Sequence, residues 1–208
     1  MIWDSVIWKK ELHKELDNFN TFLADMETPK DECFDFTVEK FFFVSAFMIR
    51  KLSEGNKLSD ELTSKDFSCI KYRRIKSNSI IDHLNWRHME RFYRLEKKDT
   101  SLMKLKDICN FLIHSFVFSA VTGDSRKLSG ILVNSDRTKD KCLLCVQLNT
   151  FVELINDVVN DKVVTGCYDR ATGKLKNSRV ISRKLRESGL DPQKLWDDSK
   201  KKVLLANQ

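Results

Sequence analysis

The dominant period of this chain's apolar residues changes near Gly123, and that change limits what the chain can build. Before it the spacing is mostly helical. Trp3, Ile7, Leu12, Leu16, Phe19 and Leu23 recur every three to five residues with Lys and Glu between them, which predicts an amphipathic helix over 2–26. Pro29 and the acidic pair Asp31-Glu32 end it. Thr37 is placed to cap a second, deeply buried helix over 39–51, stopped by Gly55-Asn56. The pattern weakens over 60–79, where 67–75 alternates well enough for a short strand and carries Lys71, Arg73, Arg74 and Lys76. Asn85 is an N-cap candidate for a short helix over 86–95, and Thr100 or Ser101 for the most apolar helix of all, over 101–118.

After Gly123-Asp124 the period moves towards 2. Segments 128–134 and 141–148 read as a hairpin closed by polar residues 135–140. Thr150 with Glu153 has the spacing of a capping box and opens a helix to about Val159. Segments 163–168 and 175–181 predict a second hairpin, and a charged tail follows over 182–208, with a helix opening near Asp191-Pro192. The expected class is α+β, mainly α. A helical core at 1–122 is followed by a small antiparallel β element at 123–181, packed on that core, and by the helical tail.

A chain of 208 residues is long enough to bury a substantial core, and 41% hydrophobic with 32% charged residues is a globular balance. The net charge of +7 is compatible with nucleic acid or another polyanion, and by itself selects neither. The apolar runs 41–49 and 111–121 fall short of the roughly 20 apolar residues that span a bilayer, so no membrane partner is expected. The first residues lack a basic region and a long apolar run, which leads to the expectation of a cytoplasmic protein with reduced thiols.

Cys142 and Cys145 form a CxxC, yet they fall in a segment that reads as a strand. Side chains three apart on a strand point to opposite faces, so the pair cannot grip one zinc ion, and no second CxxC or nearby histidine completes a site. Buried thiols are the plainer account. Residues 166–174 contain two glycines and a lysine, but the spacing exceeds that of a phosphate-binding loop and Leu175 stands where a hydroxyl is needed. GxSxG, HExxH, GxGxxG and EF-hand patterns are missing as well, and no metal or cofactor is expected.

The segment 101–118 carries more. At about 100° per residue, Leu102, Leu105, Cys109, Leu112 and Phe116 share one face, which must be core. Asp107, Asn110 and His114 fall on another stripe, among Met103, Phe111 and Phe118. A helix apolar on two sides with a polar seam between them expects a second partner, either another segment or another copy of the chain. An imidazole is the side chain suited to exchange a proton near neutral pH, as phosphodiester cleavage requires.

The Asn110-x-x-x-His114 spacing late in an apolar helix resembles the HEPN superfamily, whose ribonucleases carry an arginine and a histidine on one helix, often with asparagine after the arginine. The resemblance covers about 20 residues. It implies RNA binding, metal-independent RNA cleavage between the motif helices of two protomers, and a role in stress response or phage defence. Asn110 and His114 match the family's polar residue and histidine, whereas Cys109 occupies the arginine position. A neutral thiol cannot stabilise a phosphorane as a guanidinium does. Arg87, Arg91 and Arg94, a basic stripe if 86–95 is helical, are the candidates to supply that charge. The plainer account of the stripe is a solvated face paired with Glu90 and Glu96. Two functional readings result: an RNA-binding protein that cleaves its ligand, and a non-catalytic homodimeric adaptor that uses the same helix as a protein–protein contact.

Overall fold

A strand that is apolar at every position has to be covered on both faces, and the run from Cys142 to Val146 is such a strand, buried throughout. The computed structural model describes residues 4–25, 32–76, 79–123, 127–163 and 165–178. Its strands are β1 (Asp66–Arg73), β2 (Asp99–Lys104), β3 (Ser115–Thr122), β4 (Leu128–Ser135) and β5 (Cys142–Gln147). They form one antiparallel sheet in the order β2-β1-β5-β4-β3, with the apolar β5 at its centre. The helices are α1 (Ser5–Asp25), α2 (Glu32–Glu54), the short α3 (Asp60–Thr63), α4 (Leu105–Ile113) and α5 (Leu148–Asn160). A separate hairpin pairs β6 (Thr165–Asp169) with β7 (Lys174–Ser178). The fold class is α+β.

The pleat of β5 divides the core. Leu144 and Val146 join Phe67, Cys69, Ile131 and Val133 against the helices. Leu143 and Cys145 face the other way, towards Tyr72, Ile81, Phe92 and Tyr93, where the connection between β1 and β2 covers the sheet. Phenylalanines knit the helical side: Phe19 of α1 stacks on Phe41 of α2 at 3.8 Å between ring centres, and Phe42 stacks on Phe151 of α5 at 4.6 Å. On the covered side the Tyr93 hydroxyl donates to the Lys139 carbonyl at 2.6 Å and accepts from Asn134 Nδ2 at 2.7 Å. These bonds fix the turn between β4 and β5.

Both hairpins, the strand at 67–75 and the helices at 5–25 and 148–160 lie where the sequence predicts them, give or take a few residues. Cys142 and Cys145 are free thiols on β5. Other expectations are corrected. Segment 101–118 is not one helix: its first residues extend β2, nine residues form α4, and the rest starts β3. A short apolar run does not distinguish helix from strand by period, and Phe116, Val117, Phe118 and Val121 favour a strand. Segment 86–95 forms only a single 3-10 turn, Met89–Arg91. Asp82 and Asn85 instead lock a preceding turn, with Leu84 and Asn85 N–H groups donating to Asp82 Oδ1 at 2.9 and 3.1 Å.

Thr37 lies inside α2, and Thr150 lies inside α5, where its hydroxyl donates to the Ser68 carbonyl at 3.1 Å and caps nothing. The sheet draws strands from both sides of residue 122. The expected tail helix falls outside the described residues. No helix among the described residues is long and apolar enough to cross a membrane.

Candidate functional site

Residues 107, 110, 111 and 114 follow i, i+3, i+4, i+7 spacing and so share one side of α4. Asp107, Asn110, Phe111 and His114 line the same groove, of about 760 Å³, as that spacing requires. The opposite side of α4 is core: Leu105, Cys109 and Leu112 are fully buried. His114 itself is the C-terminal cap of α4, with φ −107° and ψ 29°, and its side chain is exposed, while Asn110 is half-buried.

The facing wall comes from the turn between β4 and β5. Ser135, Asp136, Arg137 and Thr138 all line the groove. The turn is held by the Ser135 N–H donating to Thr138 Oγ1 at 2.9 Å and the Lys139 N–H donating to the Ser135 carbonyl at 2.8 Å. Lys139 sits behind it, with Nζ 2.7 Å from Asp136 Oδ1 and 4.1 Å from the centre of the Phe116 ring. Its hydrogen bond and charge, aided by His83, hold the Asp136 carboxyl below the usual carboxylate range. Arg137 is exposed and forms no ion pair among the described residues.

The third contributor is Arg50, near the end of α2, whose Nε donates to Glu54 Oε1 at 2.7 Å. Burial pushes the Cys109 thiol up to about 12, and the charge of Arg50 nearby opposes that rise. Cys109 is therefore a neutral packing residue at physiological pH, with no thiolate to offer as nucleophile or metal ligand. The guanidinium of Arg50 lines the groove on the other side of α4 from this thiol, delivered from a neighbouring helix.

Of the residues picked out from sequence, the structure gathers Asn110 and His114 in one groove and separates them from the arginine stripe. Segment 86–95 is not a helix, so the spacing of Arg87, Arg91 and Arg94 no longer makes them a helical stripe. Arg87 stands over the Trp86 ring at 5.4 Å, beside Asp35 and Glu39 in a different pocket. Arg91 and Arg94 are exposed and line no part of the His114 groove. Arg50, Arg137, Ser135 and Thr138 are groove residues that sequence reasoning missed. Arg50 follows a long apolar run and reads as the end of a helix, and 135–140 reads as a polar turn; neither carries a local signal of its own.

Groups of three or more metal-ligating side chains do not occur among the described residues. The arrangement offers two guanidinium groups, an imidazole and a carboxamide around one open groove, beside the carboxylates of Asp107 and Asp136, and Arg137 with His114 gives it groups able to meet an anion and to move a proton beside it. No protein-family model, curated protein or solved structure matches this chain.

Proposed function

We propose that the groove beside α4 binds the phosphodiester backbone of RNA and supports its metal-independent cleavage, as the HEPN-like spacing of Asn110 and His114 implies. The observation that carries this reading is that Arg50, Asn110 and His114 line one groove, so that a guanidinium from α2 accompanies the imidazole and the carboxamide. In the proposed reaction a ribose 2′-oxygen attacks the adjacent phosphorus while its proton passes to a base. The bond to the 5′-oxygen breaks, and that oxygen takes up a proton. His114 performs one of these transfers, Asn110 orients the phosphate, and Arg50 with Arg137 neutralises the charge on the phosphoryl oxygens. A homodimer acting in stress response or phage defence is part of this reading on the resemblance, and a cytoplasmic location on the expectation of reduced thiols.

A second reading has its own support. Met103 and Phe111 give the groove an apolar wall. A groove of that kind also suits a protein contact, in which case the chain is a non-catalytic homodimeric adaptor.

Arg50→Ala separates the two. The RNA reading expects cleavage of an RNA pool to fall by at least about 100-fold, with partial recovery in Arg50→Lys and an unchanged circular dichroism spectrum. Wild-type protein that cuts no RNA but sediments as a dimer, and becomes a monomer in Phe111→Asp, would put the adaptor reading first.

A further inference from the structure

We infer that a single RNA strand entering the His114 groove continues past the end of α2 along a basic and aromatic path to a cleft between α1 and α5. This rests on the reading of the groove as an RNA site and extends it to the form of the ligand.

Three hollows define the path: the first is joined to the second through the Arg50–Glu54 ion pair, and the second shares Asn56 and Lys57 with the third. Arg50 lines the groove, and the Glu54 carboxylate that accepts from it at 2.7 Å also accepts from Lys51 Nζ at 3.0 Å. Lys51 and Glu54 line the next hollow together with Phe47, Trp8 and Lys57. Lys57 and Asn56 line in turn a cleft of about 720 Å³ that also holds Lys9, Lys10, His13 and Lys162. One carboxylate lines this cleft, that of Asp161, and it is engaged by the Ser59 N–H at 2.8 Å and the Ser59 hydroxyl at 2.6 Å. Lys10, Lys57 and Lys162 make no ion pair among the described residues. Three unneutralised ammonium groups around one cleft make a site for a polyanion.

The aromatic residues select the form of that polyanion. Phe47 is 48% exposed on α2, with Lys51 Nζ 5.6 Å from its ring centre, so an open ring and a cation are presented side by side. Trp8 is half-buried in the same hollow. Interleaved cations and rings fit a backbone that alternates phosphate with an unstacked base. In a duplex the bases are stacked inside and cannot use such a ring.

The test uses the full chain and 2′-O-methyl RNA, which resists cleavage, in fluorescence anisotropy at several salt concentrations. A strand of about 16 nucleotides is expected to bind more tightly than one of about 4, and more tightly than a duplex of equal length. Replacing Lys10, Lys57 and Lys162 together by Glu should remove the length advantage and lower the slope of log affinity against log salt by about 2, at roughly 0.7 per phosphate contact. A matched set of exposed residues elsewhere, Lys97, Lys98 and Lys127 replaced by Glu, should do neither. Phe47→Ala should cost the long strand about ten-fold and the short strand nothing. A long strand bound no better than the short one, or weakened equally by both lysine sets, overturns the path while leaving the groove intact. No binding of either strand overturns both.

Discussion

The backbone N–H of His114 donates to the carbonyl of Asn110 at 3.1 Å, and that bond closes α4. The two residues that carry the proposed chemistry are therefore held by main chain, one helical turn apart, with their side chains left to the groove. The side chain of His114 is exposed and its capping role uses only backbone, so substitutions there should change activity without changing the fold.

The buried carboxylate of Asp161 ties the end of α5 to the start of α3. It accepts two hydrogen bonds from Ser59, whose Oγ also accepts from the Leu62 N–H at 3.2 Å as the N-cap of α3. Ser59→Ala removes a donor to a buried charge and a helix cap at once. We expect a loss of about 2–3 kcal/mol in urea unfolding. A loss below about 0.5 kcal/mol would mean that water replaces the hydroxyl and that the junction is not closed.

Gly130 marks where β4 runs closest to β5. A Cβ there would lie 2.5 Å from the Val146 carbonyl oxygen and 2.9 Å from Gln147 Cα, both main-chain atoms. Gly130→Ala must push the two strands apart, at a cost of about 2 kcal/mol or more, which lowers Tm by about 4–8 °C in a chain of this size. An unchanged Tm would show that the strands do not pair in this register.

Stability should fall on the alkaline side through the buried thiols. Burial pushes both Cys69 and Cys109 up to about 12, against 9.0 for an unperturbed thiol. Between these values the unfolded chain releases protons that the native chain keeps. The stabilisation is therefore complete below about pH 9 and is lost as pH rises towards 12, by about 1.4 kcal/mol per pH unit for each thiol. Thermal melts at pH 8 and pH 10.5 should differ for the wild type and differ less for Cys109→Ala. In the native state iodoacetamide should label the exposed Cys33 before Cys69, Cys109, Cys142 or Cys145. Equal labelling of Cys109 and Cys33 would contradict the packing of α4.

The sequence showed the elements with the clearest periods and missed those decided by partners at a distance. The hairpin of β4 and β5 was legible because alternation and a polar turn agree, and α1 because its apolar stripe is long. The stripe Asp107–Asn110–His114 was legible too, since it needs only a local helix, and nine residues suffice. The limits of α4 were not, because the apolar run around His114 continues without a break into β3. The arginine stripe failed for a related reason: side-chain hydrogen bonds at Asp82 and Asn85 favour a turn over a helix start. Arg50 and Arg137 reach the groove from α2 and from a turn, more than 50 and 20 residues from the motif in sequence. Only the packing of α2 on α4 and the pairing of β4 with β5 bring them there.

The most direct test of the central proposal is incubation of a mixed RNA pool with purified protein in EDTA, wild type beside His114→Ala and His114→Asn. The proposal predicts that wild type cleaves, and that both variants fall by about 100-fold or more while keeping the wild-type Tm. Equal cleavage by all three proteins, or cleavage by none of them, would contradict it.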